Sequence, residues 1–446
     1  MEKNLTTGSV FKAILTFALP YLLSYFLQTL YGMADLYITG RFCGVDSITA
    51  VANGSQVMHM LTVMIVGLAM GSTVIIGRAV GARHKDEIAK TVGNSVTLFM
   101  GLSIVLTIVL LLLVRPIVLL IQTPVEAIEG SIRYLTICFI GIPFITAYNI
   151  IASICRGMGD SKSPMYFIAI ACAANIALDY VFMGVLHLGA AGAALGTTLA
   201  QTLSVIISLL MTKKQKLGIK LCKQDFIPSR AVLGEILKIG IPVAIQDGCI
   251  QIAFIIITVI ANSRGLNDAA AVGIVEKVIS ALFIVPSSML ATVSALAAQN
   301  IGAGKHDRAS KTLKYAILIT FTYGIIVAII GELITAGIVG IFTKDAAVVV
   351  LGSQYLRGYI VDCALARIHF CAYGKSYIGF IHNMIAIICL RVPGSYLASK
   401  FFADTLFPMG LAAPAGSMLS VIICVGAFVW MKKHGRLGDS QIQDAS

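Results

Sequence analysis

Long runs of apolar residues, separated by short polar stretches, make up most of this chain. A helix needs about 20 mainly apolar residues to cross a bilayer, and each run is long enough to form one. The first six runs lie at about 13–38, 49–77, 92–114, 133–155, 165–186 and 190–211. Six more follow a polar stretch, at about 236–262, 271–297, 315–342, 351–374, 380–399 and 410–431. The pattern therefore predicts an all-α membrane protein with twelve transmembrane helices.

The composition supports this prediction and excludes other classes of protein. Of the 446 residues, 58% are hydrophobic and 12% are charged, whereas globular domains carry about 25% charged residues. Such a chain is too apolar for a soluble enzyme, a coiled coil or a disordered protein. The ten cysteines show no CxxC and no zinc-site spacing, so we expect no metal centre and no cofactor.

The net charge of +12 reflects where the basic residues lie and not an affinity for nucleic acid. Most of them fall in polar segments that share one side of the membrane if the first segment is cytoplasmic. The segments on the other side contain only Arg41, Arg115, Arg264, Lys344 and Lys400. Because basic residues favour cytoplasmic loops, we expect both termini in the cytoplasm and no nucleic-acid partner.

The two halves of the chain are related in sequence. Shifting the first half by 221 residues aligns residues at both ends of several predicted helices. The aligned positions include Gly81-Ala82 with Gly302-Ala303, Asp86 with Asp307, Lys90-Thr91 with Lys311-Thr312, and Tyr134-Leu135 with Tyr355-Leu356. An even number of spans per repeat gives both repeats the same orientation in the membrane. We therefore predict two pseudo-symmetric six-helix bundles facing a central cleft, which is a transporter architecture.

The predicted domain boundaries follow from this duplication. The four segments are an N-terminal six-helix bundle at 1–211, a cytoplasmic linker at 212–234, a C-terminal six-helix bundle at 235–431 and a cytoplasmic tail at 432–446. No sizeable domain outside the membrane is expected.

Ionisable residues inside the predicted spans are candidates for function. Burying a charge in a bilayer costs several kcal/mol unless the charge faces a cavity or a partner. In the first half, Asp35 and Asp179 lie in spans that contain no Lys or Arg. The second half contains the acids Asp247, Glu276, Glu332 and Asp362 and the bases Lys277, Arg367 and Arg391. Uncompensated negative charge is therefore expected in the first half.

Polar residues form stripes on two helices of the first half. The stripe on the first helix, spaced i, i+4, i+7 and i+11, consists of Ser24, Gln28, Tyr31 and Asp35. On the fifth helix, Asn175 and Asp179 are spaced i, i+4. If the stripes face each other, Asp35, Asp179, Asn175 and Gln28 line a cavity suited to a proton or to a dehydrated small cation such as Na+. The alternative is that these residues only link helices by hydrogen bonds.

Pro20 is a candidate hinge, because it lies within the first predicted helix, 15 residues before Asp35. A proline inside a helix removes a backbone hydrogen bond and kinks the helix. A static kink is the alternative interpretation.

The buried arginines Arg367 and Arg391 require acidic neighbours in the second half. Asp362 and Glu276 are the expected partners. We predict structural charge pairing in preference to a role in substrate gating.

Several strings in the sequence resemble those of a known transporter family. They are TLYGMADLYITG, GRAVGARHKDEIAK with its echo QNIGAGKHDRASK, CRGMGDSKSPM, NIALDYVF and LGAAGAALGTTLAQ. Over essentially the whole chain they resemble the multidrug and toxic compound extrusion (MATE) family. The spacing of Pro20 and Asp35 resembles the proton-coupled DinF-like branch. The match weakens in the second half, where residues 377–380 replace the Arg-Gly-Met-Gly motif of residues 156–159.

This resemblance implies a secondary active multidrug efflux transporter that exports amphipathic organic cations in antiport with H+ or, alternatively, Na+. The candidate residues of the substrate cavity are Tyr31, Ser24, Asn149, Gln246, Asp247, Glu276 and Asp362. We further expect a multi-pass monomer in contact with lipids, in the cell (inner) membrane of a prokaryote.

Other functions lack the motifs that they require. The sequence contains no G-x-S-x-G, HExxH or P-loop motif and no nucleotide-binding domain, so we expect neither an enzyme nor an ATP-driven pump. It also lacks a filter motif typical of channels. The alternative function is that of a flippase for a lipid-linked or polar-lipid substrate, as in relatives of the same superfamily, whose central cavity is usually strongly cationic.

Overall fold

A computed structural model describes residues 4–214, 221–365 and 376–433. Within these ranges the chain is mainly helical and contains no β-strand. The helices of the first half are α1 (Val10–Phe42), α2 (Val45–Ala82), α3 (Lys85–Leu120), α4 (Ile128–Ile140), α5 (Ile142–Gly157), α6 (Lys162–Asp179) and α7 (Gly189–Lys214). Those of the second half are α8 (Arg230–Asn262), α9 (Leu266–Leu282), α10 (Ile284–Gly302), α11 (His306–Gly340), α12 (Ala346–Ile360), α13 (Ser376–Ala386), α14 (Val392–Phe401) and α15 (Phe407–Lys433). Two π-helical segments lie at Tyr180–Val185 and Ile387–Arg391.

The apolar helices match the predicted spans closely. Ten helical segments of the described chain are long and apolar enough to cross a membrane. An eleventh is obtained if α4 and α5, which are bent by 48° relative to each other, are counted as one span. The tenth predicted span begins in α12, and its residues 366–374 lie outside the described residues.

The helices carry apolar side chains on the outside and bury polar ones. On α3, Leu112 and Leu120 are 77% and 82% exposed, whereas Asp35, Asp179 and Arg391 are at most 4% exposed. Soluble proteins show the opposite distribution of charged residues. An apolar outer surface of this kind is stable when lipid chains cover it.

The loop before α6 shows how the local sequence fixes the start of a helix. Gly159 has a φ of +86°, a conformation that glycine adopts without steric cost. Asp160 Oδ1 accepts hydrogen bonds from the backbone N–H groups of Lys162 at 3.1 Å and Ser163 at 3.3 Å. The Ser163 hydroxyl donates to Asp160 Oδ2 at 2.5 Å. This cap satisfies the free N–H groups of the first turn and thereby anchors the helix that carries Asp179.

The chain divides into two compact units whose limits differ from the sequence repeats. The first unit runs to Ala244 and also includes Ser294–Ala309. The second comprises Ile245–Val293 and the chain from Ser310 onward. The first unit therefore extends past the boundaries predicted at 211 and 235, and it takes in the end of α10, which belongs to the second sequence repeat.

Glycines explain why the start of α8 and the end of α10 belong to the first unit. A Cβ at Gly71 on α2 would lie 2.2 Å from the carbonyl oxygen of Ile236, and one at Gly81 would lie 1.9 Å from that of Gln299. Only a hydrogen atom fits at such distances. Gly77, one turn before Gly81, packs against α10 in the same way. These contacts use the GxxxG spacing that permits close helix pairs in membranes.

An arginine links two connections within the second unit. Arg264 Nε donates to Asp268 Oδ2 at 2.6 Å. Its Nη atoms donate to the carbonyls of Ser399 at 2.9 Å and Ala403 at 2.7 Å. This arrangement, the Arg264 staple, satisfies carbonyls that the end of α14 leaves without helical partners.

Candidate functional site

The first candidate site is built on α1, α6 and α7, within the first unit. On α1, Asp35 is 3% exposed, and the Tyr31 hydroxyl is buried beside it. On α6, Asn175 and Asp179 are both 0% exposed. Their i, i+4 spacing places them on one face of α6, beside Asp35, although no oxygen or nitrogen of either side chain has a hydrogen-bond partner in the described chain. The structure thus brings together three of the four residues predicted to bind the coupling ion.

Helix α7 completes this site with two residues that the sequence pattern did not single out. Thr197 Oγ1 donates to Asp35 Oδ2 at 3.3 Å. A Cβ at Gly196 would lie 2.0 Å from Asp179 Oδ1, so the α7 backbone touches the carboxyl group directly. The available signal was the GxxxG spacing of Gly192 and Gly196, which predicts a close helix contact at this level of α7.

A π-helical segment follows Asp179 immediately. The N–H of Leu186 donates to the carbonyl of Val181, five residues back, at 2.9 Å. Such single π turns within α-helices often occur at functional sites. Met183 in this segment contacts the hydroxyl of Thr39 on α1 at 3.4 Å. The π turn therefore packs against α1 one helical turn beyond Asp35.

The group formed by Asp35, Asn175, Asp179 and Thr197, called the acid cluster below, has no basic member. The groups that act on the two carboxyls include each other, Asn175 and Thr197, but no Lys or Arg of the described chain. Asp35 Oδ1 and both carboxyl oxygens of Asp179 lack a hydrogen-bond donor. Two ionised carboxylates in contact repel each other, and unpaired buried polar atoms are costly. A proton or another cation bound here would relieve both penalties.

Three other predicted residues of the first half lie outside the acid cluster. Ser24 and Asn149 each donate to the backbone carbonyl four residues earlier in their own helices, at 2.9 Å and 2.8 Å. Gln28 lies seven residues before Asp35, about 10 Å along the helix axis, and forms no hydrogen bond within the described residues. The part of Gln28 in lining the same cavity stays a prediction.

Pro20 lies within α1, which continues through it from Val10 to Phe42. The proline carbonyl accepts a hydrogen bond from the Ser24 hydroxyl. The next residue, Tyr21, lies under the guanidinium of Arg156, with 5.2 Å from Cζ to the ring centre. A cation over an aromatic face is attractive, so α5 holds α1 beside the candidate hinge.

The second candidate site is a cavity of about 130 Å³ within the second unit. Three predicted substrate residues line it together, namely Gln246, Asp247 and Asp362. Asp362 is 2% exposed, and neither of its carboxyl oxygens has a hydrogen-bond partner in the described chain. The other lining residues are Phe283, Pro286, Ser287, Met289, Leu290, Val293, Leu313, Ala316, Ile317, Thr320, Cys363 and Leu365. The described lining is thus acidic and apolar, without a basic residue.

Glu276 lies outside this cavity, contrary to its predicted place in the substrate cavity. Its Oε2 accepts a hydrogen bond from the Thr258 hydroxyl on α8 at 3.2 Å. The acidic residues that line the cavity are Asp247 and Asp362. Arg367, the first of the two arginines predicted to pair with acids, lies outside the described residues.

Arg391 lies near both predicted acids, Asp362 and Glu276, but its direct contacts are aromatic. Its Nη2 donates to the Tyr359 hydroxyl, and its Cζ lies 4.7 Å from the centre of the Phe254 ring. Within the described residues, no carboxylate forms an ion pair with it. Cation–π contact and a hydrogen bond to a phenol can hold a buried guanidinium without a direct ion pair.

A sequence model of the MatE family matches residues 20–181 and 242–397. The two stretches cover more than half of the chain, and each falls within one sequence repeat. The first contains Asp35 and Asp179 and the second contains Asp247 and Asp362. The chain belongs to the MatE family.

Several members of the MatE family are similar over most of the chain. The probable multidrug resistance protein YoeA of Bacillus subtilis is 26% identical over 441 residues, which cover 96% of this chain and 95% of YoeA. The multidrug export protein MepA of Staphylococcus haemolyticus is 24% identical, covering 81% of this chain and 80% of MepA. The probable multidrug resistance protein NorM of Thermotoga maritima is 25% identical, covering 76% and 73%.

Solved structures share the fold. A MOP superfamily transporter from Pyrococcus furiosus, described as having reverse polarity of its binding pocket, superposes with a TM-score of 0.89 at 24% identity over 98% of both chains. An outward-facing multidrug resistance MATE transporter gives 0.88 at 23% identity, over 96% of this chain and 97% of that one. The prediction of a MatE-type, all-α, multi-pass membrane fold is confirmed.

Proposed function

We propose that this chain exports amphipathic organic cations in antiport with protons. The observation that carries the proposal is the acid cluster, in which Asp35 and Asp179 are buried against each other with no basic neighbour in the described part of the chain. The relatives named multidrug resistance or multidrug export proteins support the substrate class.

The acid cluster can couple two cations because a proton and a cationic substrate compete for the same negative charge. With both carboxyls ionised, electrostatic repulsion and missing donors favour uptake of a proton or attraction of a cationic substrate. Protonation of Asp35 removes one negative charge and weakens the attraction for the substrate. Proton and substrate then exclude each other, and this exclusion is what antiport requires.

Bending of α1 at Pro20 is the proposed link to movement. A proline leaves one helical carbonyl without its N–H partner, so bending costs less there than elsewhere in the helix. Protonation of Asp35 changes which groups it can bond, and α1 then bends and displaces the substrate outward.

In addition to the acid cluster, where proton and substrate compete, we propose the cavity of the second unit as a further binding place for a cationic substrate. Its two aspartates provide negative charge, and its apolar lining suits a lipophilic group. At about 130 Å³ it is close in size to an engineered cavity of about 150 Å³ that accepts benzene. It therefore accommodates a charged head or a single ring of a dye, not the whole molecule.

Asp35→Asn tests the coupling role, because an amide resembles the protonated carboxyl in shape but cannot release a proton. In inside-out vesicles with an imposed pH gradient, we expect the variant to reach the membrane at normal levels and to lose gradient-driven ethidium uptake. Glu129→Gln is the matched control, since Glu129 is exposed at the start of α4 in the same unit. Wild-type transport by Asp35→Asn would remove the acid cluster from the mechanism.

The same vesicles distinguish the alternatives. Transport driven by a sodium gradient at fixed pH would assign the carboxyl and amide oxygens to Na+ in place of H+. Movement of a fluorescent phospholipid without ethidium uptake would favour the flippase. Better transport of anionic dyes than of ethidium would contradict the proposed substrate charge.

A further inference from the structure

A short segment before α1, residues 4–9, is tied to the connection between α10 and α11. We call this segment the N-terminal strap. Lys305 Nζ donates to the carbonyl of Thr6 at 2.9 Å. Arg308 donates from its two Nη atoms to the next two carbonyls of the strap, each at 2.7 Å. Two adjacent basic side chains thus hold three consecutive carbonyls.

A third tie joins the strap to the contact between α2 and α10. The N–H of Leu5 donates to Gln299 Oε1 at 3.2 Å, and Gln299 Nε2 donates to the carbonyl of Gly157 at 3.1 Å. Gln299 is 0% exposed, and its own carbonyl lies where a Cβ of Gly81 would be. One buried amide therefore connects the strap, α5 and the glycine contact of α2.

The tied residues come from both sequence repeats. The strap, α2 and α5 belong to the first repeat, whereas Gln299, Lys305 and Arg308 belong to the second. The strap leads directly into α1, since Ser9 caps that helix by accepting from the N–H of Lys12 at 3.5 Å. The start of α1 is thereby attached to the end of α10.

We propose that the N-terminal strap is a latch that keeps the α2–α10 contact closed and must release before the cytoplasmic ends of the two repeats separate. An alternating-access transporter opens on each side in turn, so contacts that join the repeats on one side have to break in every cycle. The purpose of the latch rests on the proposed transport function. Its closure and release can be measured without transport.

The chemistry of the strap suits repeated release. The Lys305 and Arg308 bonds are charge-assisted, but Lys305 is exposed and Arg308 is half-buried. Water competes for such bonds, so each contributes modestly to stability. In the α2–α10 contact beneath, Gly81 and Gly302 meet backbone atoms of the opposite helix, and Gly77 meets the small side chain of an alanine.

The experiment measures access to α10 from the cytoplasmic side. Ser294, 2% exposed, lies one turn before Ala298, which packs against Gly77. In a cysteine-free background with Ser294→Cys, a membrane-impermeant maleimide is added to inside-out vesicles. Combining Lys305→Gln with Arg308→Gln should speed labelling about three- to tenfold, because the closed state loses its strap bonds.

Lys311→Gln is the matched control. Lys311 lies on the same helix as Arg308, is exposed, and forms no hydrogen bond or ion pair within the described residues. It should leave labelling unchanged. Equal labelling in the double variant and this control would overturn the latch.

A second reporter separates opening from unfolding. Ser395 is 1% exposed in the second unit, so Ser395→Cys should stay protected in every variant that folds when labelling is done on detergent-solubilised protein, in which the reagent reaches both faces. Faster labelling at Ser294→Cys with protection at Ser395→Cys supports the latch, whereas faster labelling at both positions shows unfolding and contradicts it. If ethidium uptake is absent while labelling changes as expected, the result contradicts the proposed function and still supports the latch.

Discussion

Gly196→Ala tests the geometry of the acid cluster with a single methyl group. The added Cβ would lie 2.0 Å from Asp179 Oδ1, whereas ordinary contacts begin at 3.4 Å, so the two atoms must separate by about 1.4 Å. Either α7 moves away from α6 or the Asp179 carboxyl turns away from Asp35. Overpacking of this kind costs about 1–3 kcal/mol. If this cost disfavours the arrangement in which Asp179 faces Asp35, the population of that arrangement falls about 5- to 150-fold.

The assay compares ethidium uptake by inside-out vesicles under the same pH gradient, with equal amounts of protein. Gly101→Ala on α3 is the control, because nothing lies within 4 Å of the position where its Cβ would be. Alanine is favoured over glycine inside a helix by about 0.5–1 kcal/mol, so this control should transport normally. We expect Gly196→Ala to retain less than about a fifth of the uptake.

The reasoning fails if Gly196→Ala and Gly101→Ala transport equally well. That result would mean that the position of Asp179 against α7 has no bearing on coupling. A thermal unfolding scan in detergent provides the second reading, since an overpacked contact should also lower the unfolding temperature of Gly196→Ala relative to the control.

Three further predictions concern single side chains. Thr197→Val should reduce proton-driven uptake and Thr197→Ser should restore it, because only a hydroxyl donates to Asp35. Arg264→Gln should lower the unfolding temperature, since losing charge-assisted hydrogen bonds costs about 1–3 kcal/mol; an unchanged scan would show the staple to be dispensable. In intact cells, an impermeant maleimide should label Leu266→Cys but not the exposed native Cys222, and labelling of Cys222 would reverse the predicted topology.

The sequence predicted the helices and the buried acids well because each follows from a short stretch of sequence and from the cost of burying polar groups in a membrane. An apolar run of about 20 residues has few stable alternatives to a membrane helix. A carboxyl group within such a run is costly to bury, so its position alone identifies it as a candidate for function. Asp35 and Asp179 were found for that reason, and Asn175 by its i, i+4 spacing from Asp179.

Partners that carry no charge were harder to predict. Thr197 and Gly196 are ordinary residues of membrane helices, and only the packing of α7 shows that one donates to Asp35 and the other touches Asp179. Both predicted acids lie near Arg391 as expected, but its direct contacts are Tyr359 and the Phe254 ring. Counting charged residues in the sequence does not reveal aromatic partners.

The limits of the compact units also depend on contacts between residues far apart in the sequence. The sequence repeats end near residue 211, yet backbone contacts at Gly71 and Gly81 draw the start of α8 and the end of α10 into the first unit. A glycine permits such a contact without specifying its partner. The repeat boundary therefore could be read from the sequence, whereas the packing boundary required the fold.

The two π-helical segments give information about descent. They follow α6 and α13, which begin the fifth span of each repeat. A π turn accommodates one residue more than an α turn. The 221-residue shift that aligns the repeats would carry Tyr180–Val185 onto residues 401–406, well past Ile387–Arg391, so the two π turns lie at different points of the repeat and indicate separate insertions after duplication. Only the first turn directly follows an ionisable residue, Asp179, whereas Ala386 precedes the second.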